Sequence, residues 1–76
     1  MAKVSFNTPE KIQQFRKMMG MNQAEFWGRV NVTQSGGSRY ESGRSIPKAV
    51  QVLLTIAYGS SVQAEAQVAK LRDWMV

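Results

Sequence analysis

The side chains that could do chemistry in this chain are mainly cationic, and they concentrate in its middle. The 76 residues include ten Lys and Arg against five Asp and Glu, for a net charge of +5. Six of the basic residues lie between positions 16 and 48: Arg16, Lys17, Arg29, Arg39, Arg44 and Lys48. The same stretch holds two acidic residues, Glu25 and Glu41. Such a local excess of cations favours a polyanionic partner but does not identify one.

Other kinds of chemistry are excluded by composition. Cysteine and histidine are both absent, which rules out disulfides, thiolate zinc sites and imidazole catalysis. The five carboxylates are scattered, so that no nucleophile-base pair or metal cluster can be proposed. We therefore expect no catalytic residue, no metal site, no cofactor and no small-molecule ligand, and we do not expect an enzyme.

The length predicts one domain over residues 1–76. A chain of this size buries only about 60% of its unfolded surface and must rely on well-packed helices or on a partner subunit. No apolar run approaches the roughly 20 residues of a membrane span, and no signal-peptide core follows Lys3. The expected location is the cytoplasm, without membrane association.

Local signals predict five helices. Thr8 followed by Pro9 is a typical helix start, and Asn22 with Glu25 three positions later is a capping-box pattern. Residues 1–7 carry no helical signal, and their structure stays unassigned. The predicted helices cover about residues 9–19, 23–30, 34–42, 47–58 and 62–75.

Residues 22–44 have the layout of a helix-turn-helix, made of the second and third predicted helices. Asn31 falls where a tight turn requires positive φ, which Asn tolerates. Thr33 can cap the helix that follows, and Gly43 suits a left-handed helix end. This layout is typical of domains that place the second of the two helices in the DNA major groove.

Apolar residues at helical spacing predict the inward faces of the first, fourth and fifth helices. Met18, Met19 and Met21 are interpreted as core and gap-filling residues. For Trp74 and Met75 two interpretations stay open, because a terminal helix with large apolar residues packs on its own core or meets a second subunit. The predicted faces are Ile12, Phe15 and Met19; Val50, Leu53, Leu54 and Ala57; and Ala64, Val68, Leu71 and Met75.

Three short motifs carry a family resemblance: Gln23-Ala24-Glu25, the run Val30-Asn31-Val32-Thr33-Gln34-Ser35, and Arg39-Tyr40-Glu41-Ser42-Gly43-Arg44. They resemble the lambda-repressor-like family, which includes phage repressors, Cro and bacterial regulators with the xenobiotic-response-element type of helix-turn-helix. The similarity runs without a gap from about Ile12 to Leu54. It implies an all-α, compact five-helix domain from a bacterium or phage that binds double-stranded DNA. The implied function is a transcriptional regulator, expected to be a repressor, that binds a palindromic operator as a homodimer and lies on the nucleoid when bound.

The resemblance also implies roles for individual residues. Base contacts are implied for Gln34, Ser35, Ser38 and Arg39. Phosphate contacts are implied for Gln23, Thr33, Arg44 and Lys48. Arg16 matches a basic residue that in many relatives pairs with the acid at Glu41, which would tie the first helix to the end of the third.

Two residues depart from the family pattern. Trp27 stands where the family usually has a small residue, and Gly37, preceded by Gly36, stands where the recognition helix usually buries an aliphatic one. An exchange of volume would reconcile the two departures, with the indole of Trp27 lying across the third helix at the place that Gly37 leaves empty. Both are therefore expected to have structural roles.

The sequence also allows alternative interpretations of these residues and of the function. Gln34, Ser35 and Arg39 could be a solvated helix face, an interpretation that the motif context disfavours. Trp27 and Tyr40 could be stacking platforms of a single-strand binder, but the helical pattern turns both inward. The basic charge alone would also allow nonspecific coating of nucleic acid. A protein-interaction module such as an antitoxin, which neutralises a partner protein and also binds its own promoter, would use the same fold.

Overall fold

The computed structural model describes residues 4–75, and within that range all regular secondary structure is helical, with no β-strand. The all-α, five-helix fold class expected from the sequence is confirmed. A short 3-10 helix, Asp73–Met75, follows the fifth helix. Within residues 4–75 no helix has the length and apolar character needed to cross a bilayer. The five helices are α1 Pro9–Met18, α2 Gln23–Gly28, α3 Gln34–Glu41, α4 Lys48–Tyr58 and α5 Ser61–Leu71.

Side-chain caps define where several helices begin. The Asn22 side chain accepts from the amide of Glu25 at 2.8 Å, and the Glu25 carboxylate accepts from the amide of Asn22 at 3.0 Å. This is the reciprocal capping box expected from the sequence. Ser60 and Gln63 form a second one at the start of α5.

Helix ends differ from the predicted ones where backbone geometry changes. Pro47 lies outside α4, since its ψ of 146° is extended rather than helical. The fifth helix was predicted to run to residue 75, but α5 ends at Leu71. The amide of Met75 bonds to the carbonyl of Arg72, three residues back, at 3.1 Å. This tighter bonding converts the last turn to a 3-10 helix.

Aromatic rings fill much of the interior. The rings of Phe26 and Tyr58 stack at a centroid distance of 4.4 Å with 8° between their planes. The Tyr58 hydroxyl donates to the carbonyl of Phe26 at 2.7 Å, which joins the end of α4 to α2. The buried apolar core is Phe6, Ile12, Phe26, Trp27, Val30, Ile46 and Leu54.

The segment before α1 contributes to this core. Phe6 is only 3% exposed and packs edge-on against Phe15 at a centroid distance of 5.3 Å. The Gln63 side chain accepts from the amide of Val4 at 3.2 Å and donates to its carbonyl at 2.8 Å. Residues 4–7 are thus attached to α5 without forming a strand, whereas residues 1–3, which the sequence also left unassigned, lie outside the described range.

Three predicted apolar faces need correction. At the end of α1, Met18 and Met19 are 73% and 54% exposed, so they are not core residues, whereas Met21 packs against the core. On α4, Leu54 is buried and Val50 half-buried, but Leu53 and Ala57 are exposed. On α5 the half-buried residues are Gln63, Ala64 and Gln67. The covered part of α5 ends at Gln67, so the apolar residues Val68, Leu71 and Met75 nearer the C-terminus are exposed.

Candidate nucleic-acid interface

The connection between α2 and α3 is a tight turn. Asn31 has a φ of 62°, the positive value expected at this position. The amide of Val32 donates to the carbonyl of Trp27 at 3.0 Å, which closes the turn. The Thr33 hydroxyl then accepts from the amide of Gly36 at 3.1 Å and caps α3. Residues 22–44 therefore form the helix-turn-helix that the sequence predicted.

The four predicted base-contact residues lie on α3. Gln34, Ser35 and Arg39 are exposed, and Ser38 is half-buried. Ser38 follows Gln34 by four positions and Arg39 follows Ser35 by four, so that the two pairs form neighbouring rows on the helix surface. An amide, two hydroxyls and a guanidinium thus share one side of α3, and these groups can read base edges in a major groove.

Two glutamines connect the front of α3 to the protein interior. The Gln34 amide donates to Gln23 Oε1 at 3.3 Å, and the Gln23 amide donates to Glu41 Oε1 at 3.4 Å. Gln23 is the first residue of α2, and Glu41 is the last of α3. This arrangement restricts the Gln34 amide, although the residue is exposed.

Glu41 is the centre of a buried network. Arg16 binds it with two hydrogen bonds, Nε to Oε2 at 2.9 Å and Nη2 to Oε1 at 2.8 Å. Trp27 Nε1 donates to Oε2 at 2.7 Å. Burial raises the pKa of the Glu41 carboxyl, but hydrogen bonds from Arg16, Trp27 and Gln23 and the charge of Arg16 outweigh burial, so that the pKa lies below its ordinary value. The carboxylate is therefore held ionised, and it ties α1 and α2 to the end of α3.

Trp27 and Gly37 lie against each other between α2 and α3. Trp27 is fully buried and Gly37 is buried. A Cβ atom added to Gly37 would lie 2.6 Å from Trp27 Nε1, and closer still to Cγ and Cδ1 of the indole. The indole thus occupies the space that a side chain at position 37 would need. With no exposed surface, Trp27 is also unable to stack on a nucleic-acid base.

Among known protein families, the chain matches the RsaL-like HTH domain over residues 13–57. That range is more than half of the chain and contains the whole turn, the Glu41 network and the surface of α3. The chain belongs to the RsaL-like HTH domain family. No curated protein and no solved structure matches the chain at a significant level.

Membership of the RsaL-like HTH domain family confirms the resemblance to helix-turn-helix DNA-binding proteins, whereas the lambda-repressor-like subtype stays a prediction. Helix-turn-helix DNA-binding families are typically non-enzymatic, and the domain indicates a DNA-binding regulator. The matched range stops before α5, so the family match describes the DNA-binding unit and leaves the C-terminal helix unaccounted for.

The predicted phosphate contacts of this RsaL-like domain lie near the two ends of α3 and at the start of α4. Thr33, Arg44 and Lys48 are exposed, and Gln23 is half-buried. Gly43 has a φ of 117°, and the amide of Arg44 donates to the carbonyl of Arg39 at 3.1 Å, which turns the chain directly after α3. Thr33 and Arg44 thereby stand at opposite ends of the helix, in positions suited to two stretches of DNA backbone.

Sequence reasoning predicted Arg16 as a partner of Glu41 but missed Gln23, Gln13 and Trp27. Gln13 on α1 donates to the backbone carbonyl of Glu41 at 2.7 Å. This bond supplies a donor for a carbonyl at the C-terminal end of α3, where no backbone amide of the helix is available. Trp27 was expected to fill space, but its indole nitrogen also donates a hydrogen bond. A buried tryptophan usually needs a partner for this nitrogen, and that rule was the available signal. Nothing in the sequence indicated the role of Gln13.

Proposed function

We propose that this protein is a sequence-specific, double-stranded DNA-binding transcriptional regulator, and specifically a repressor. It binds a palindromic operator as a homodimer, with α3 in the major groove of each half-site. Half-sites about one helical turn apart fit two recognition helices on the same side of the duplex. A single α3 offers few base contacts, and a second copy doubles them.

One observation carries this proposal: the Gln34 amide is held by Gln23 beside the exposed side chains of Ser35 and Arg39. In this arrangement Gln34 pairs with an adenine and Arg39 with O6 and N7 of a guanine, while Ser35 and Ser38 contact neighbouring base edges. Each bidentate contact contributes about 1–3 kcal/mol of discrimination against a wrong base.

Contacts between the protein and the DNA phosphates provide most of the binding affinity. Arg44 follows α3 and Lys48 begins α4, and neither has a carboxylate partner within 4.0 Å among residues 4–75. Both are therefore available to phosphates, as are the Thr33 hydroxyl and the Gln23 amide. These contacts fix the register of the protein on the duplex, and the salt dependence of binding reports them.

The experiment is selection from a random duplex pool at near-physiological salt, with sequencing of the bound DNA. We expect the wild type to enrich a palindromic consensus. Arg39→Ala should degrade one position in each half-site, while Arg44→Ala should keep the consensus, bind all sequences more weakly and reduce the salt slope by about 1. Lys11→Ala is the matched control, since it removes one positive charge from an exposed residue near the start of α1.

Two results would contradict this proposal. Enrichment of no sequence by the wild type would point to a module that depends on a partner protein. An unchanged consensus with Arg39→Ala would show that α3 does not read bases through this residue.

A further inference from the structure

The C-terminal end of the domain exposes large apolar side chains. Val68 is 40% exposed, Leu71 and Met75 are each 56% exposed, and Trp74 is 80% exposed. We call these four residues the C-terminal apolar surface. Exposed apolar area of this kind usually marks an interaction site in a soluble domain.

This surface continues a stripe that begins in the protein interior. Ala64, Val68 and Leu71 follow one another at spacings of four and three, which places them on one side of α5. Ala64 is half-buried, whereas Val68 and Leu71 are exposed. The protomer therefore covers the start of the stripe and leaves its C-terminal end open, where Trp74 and Met75 follow in the 3-10 helix.

α5 packs along α4 without contributing to the buried core of its own protomer. None of its residues is buried, and an isolated helix of this length is marginal in water. Its strongest anchors in the described part of the chain are polar, namely the capping box at Ser60 and the bonds from Gln63 to Val4. A helix of this kind is expected to gain order when its apolar side is covered.

We propose that a second copy of this chain covers the C-terminal apolar surface, so that two copies pair α5 against α5 about a two-fold axis. The four exposed side chains offer on the order of 500 Å² of apolar area, which is more than half of the ~800 Å² that each partner of a stable interface buries. Polar residues around the patch supply the remainder. An interface that uses the same surface on both copies is the commonest kind in homodimers.

The charge distribution favours this occupant. Residues 61–75 carry two acidic and two basic side chains, Glu65, Asp73, Lys70 and Arg72. The net charge of +5 therefore resides in residues 1–60, which hold eight basic and three acidic residues. Two copies that meet through α5 bring together neutral surfaces and keep their cationic regions free for DNA. The two-fold arrangement rests on the proposed function, whereas the apolar area and the neutral charge do not.

The test is the oligomeric state of the full chain, measured by analytical ultracentrifugation from low micromolar to submillimolar concentration. We expect the wild type to sediment as a dimer of the 8.5 kDa chain. Leu71→Gln and Trp74→Gln should each raise the dissociation constant of the dimer about tenfold or more, because each removes an apolar anchor. Glutamine is a good helix former and adds no charge.

Val62→Gln is the matched control. Val62 is 76% exposed, and it lies nine residues before Leu71, which places it on the opposite side of α5 at about 100° per residue. We expect its dissociation constant to stay within about threefold of the wild-type value. In Trp74→Gln the sole remaining tryptophan is the buried Trp27, so its fluorescence reports whether the core is folded.

A wild type that stays monomeric throughout, or Leu71→Gln and Trp74→Gln variants that dimerise as tightly as the wild type, would overturn this interface. Binding to a duplex with one half-site separates this outcome from failure of the proposed function. If only the interface is wrong, all variants still select the same operator. If only the DNA-binding function is wrong, dimerisation responds as expected but no duplex sequence is preferred.

Discussion

Gly37→Ala is the substitution that most directly tests how α3 is held. The new Cβ would lie 2.6 Å from Trp27 Nε1 and closer to two other atoms of the indole. These atoms belong to a rigid, fully buried ring, and a side chain in a close-packed interior cannot move aside cheaply. Relief requires the indole to shift, which disturbs its 2.7 Å hydrogen bond to Glu41.

The expected cost follows from three contributions. Overpacking a core costs about 1–3 kcal/mol, and a disturbed hydrogen bond to a charged group costs about 1.5–3 kcal/mol. The higher helix propensity of alanine returns about 1 kcal/mol. The net loss is about 3 kcal/mol, which for a domain of this size lowers the melting temperature by about 12–24 °C. Gly37→Leu adds further volume at the same place, and we expect that variant to be unfolded.

Thermal unfolding followed by far-UV circular dichroism measures the effect, with Gly28→Ala as the matched control. A Cβ at Gly28 meets nothing within 4 Å, and the residue has no positive φ. Its substitution should leave the melting temperature unchanged or raise it by a few degrees. If Gly37→Ala melts within about 3 °C of the wild type, where about 12 °C or more is expected, the exchange of volume between Trp27 and Gly37 is refuted.

Three further substitutions test other contacts. The lowered pKa of Glu41 means that its stabilising effect is full above the ordinary value of 4.5 and is lost as the pH falls through the lower folded value. Glu41→Gln should therefore lower the free energy of unfolding by about 3 kcal/mol at neutral pH. The variant should also lose less stability than the wild type as the pH falls, which urea unfolding midpoints at several pH values would measure. Tyr58→Phe removes the bond to the Phe26 carbonyl and should cost about 1 kcal/mol in the same urea assay. Gln63→Ala removes both bonds to the Val4 backbone, and hydrogen exchange at the Val4 amide should then accelerate; an unchanged rate would show that Gln63 does not hold this segment.

Features that depend on neighbouring residues could be predicted from the sequence. The capping box of Asn22 and Glu25, the positive φ of Asn31 and the Thr33 cap each follow from the chemistry of a few adjacent positions. The contact between Arg16 and Glu41 spans 25 residues, and only the family resemblance indicated it. Local chemistry thus predicts where helices begin, whereas the contact between Arg16 and Glu41 was predicted from resemblance to a known family.

Apart from the contact between Trp27 and Gly37, features that depend on how helices pack could not be predicted. Periodicity placed Met19 and Leu71 on apolar faces, but it does not say how far along a helix the core extends, and both residues lie where their helices end. The burial of Phe6 depends on where the extended N-terminal segment lies, and the sequence pattern at this segment gave no direction. The contact between Gln63 and Val4 joins residues 59 positions apart and leaves no local signal.

The Glu41 network explains how α3 tolerates two glycines. Gly36 and Gly37 each cost about 1 kcal/mol in helix propensity, so the helix depends on tertiary contacts. Trp27 supplies such a contact, and it can do so only because position 37 has no side chain. The indole then donates to Glu41, whose other oxygen accepts from Gln23, the partner of Gln34. A substitution that loosens this network should therefore lower both the stability of the domain and its discrimination between DNA sequences. Arg39→Ala, at an exposed position outside the network, should lower sequence discrimination alone.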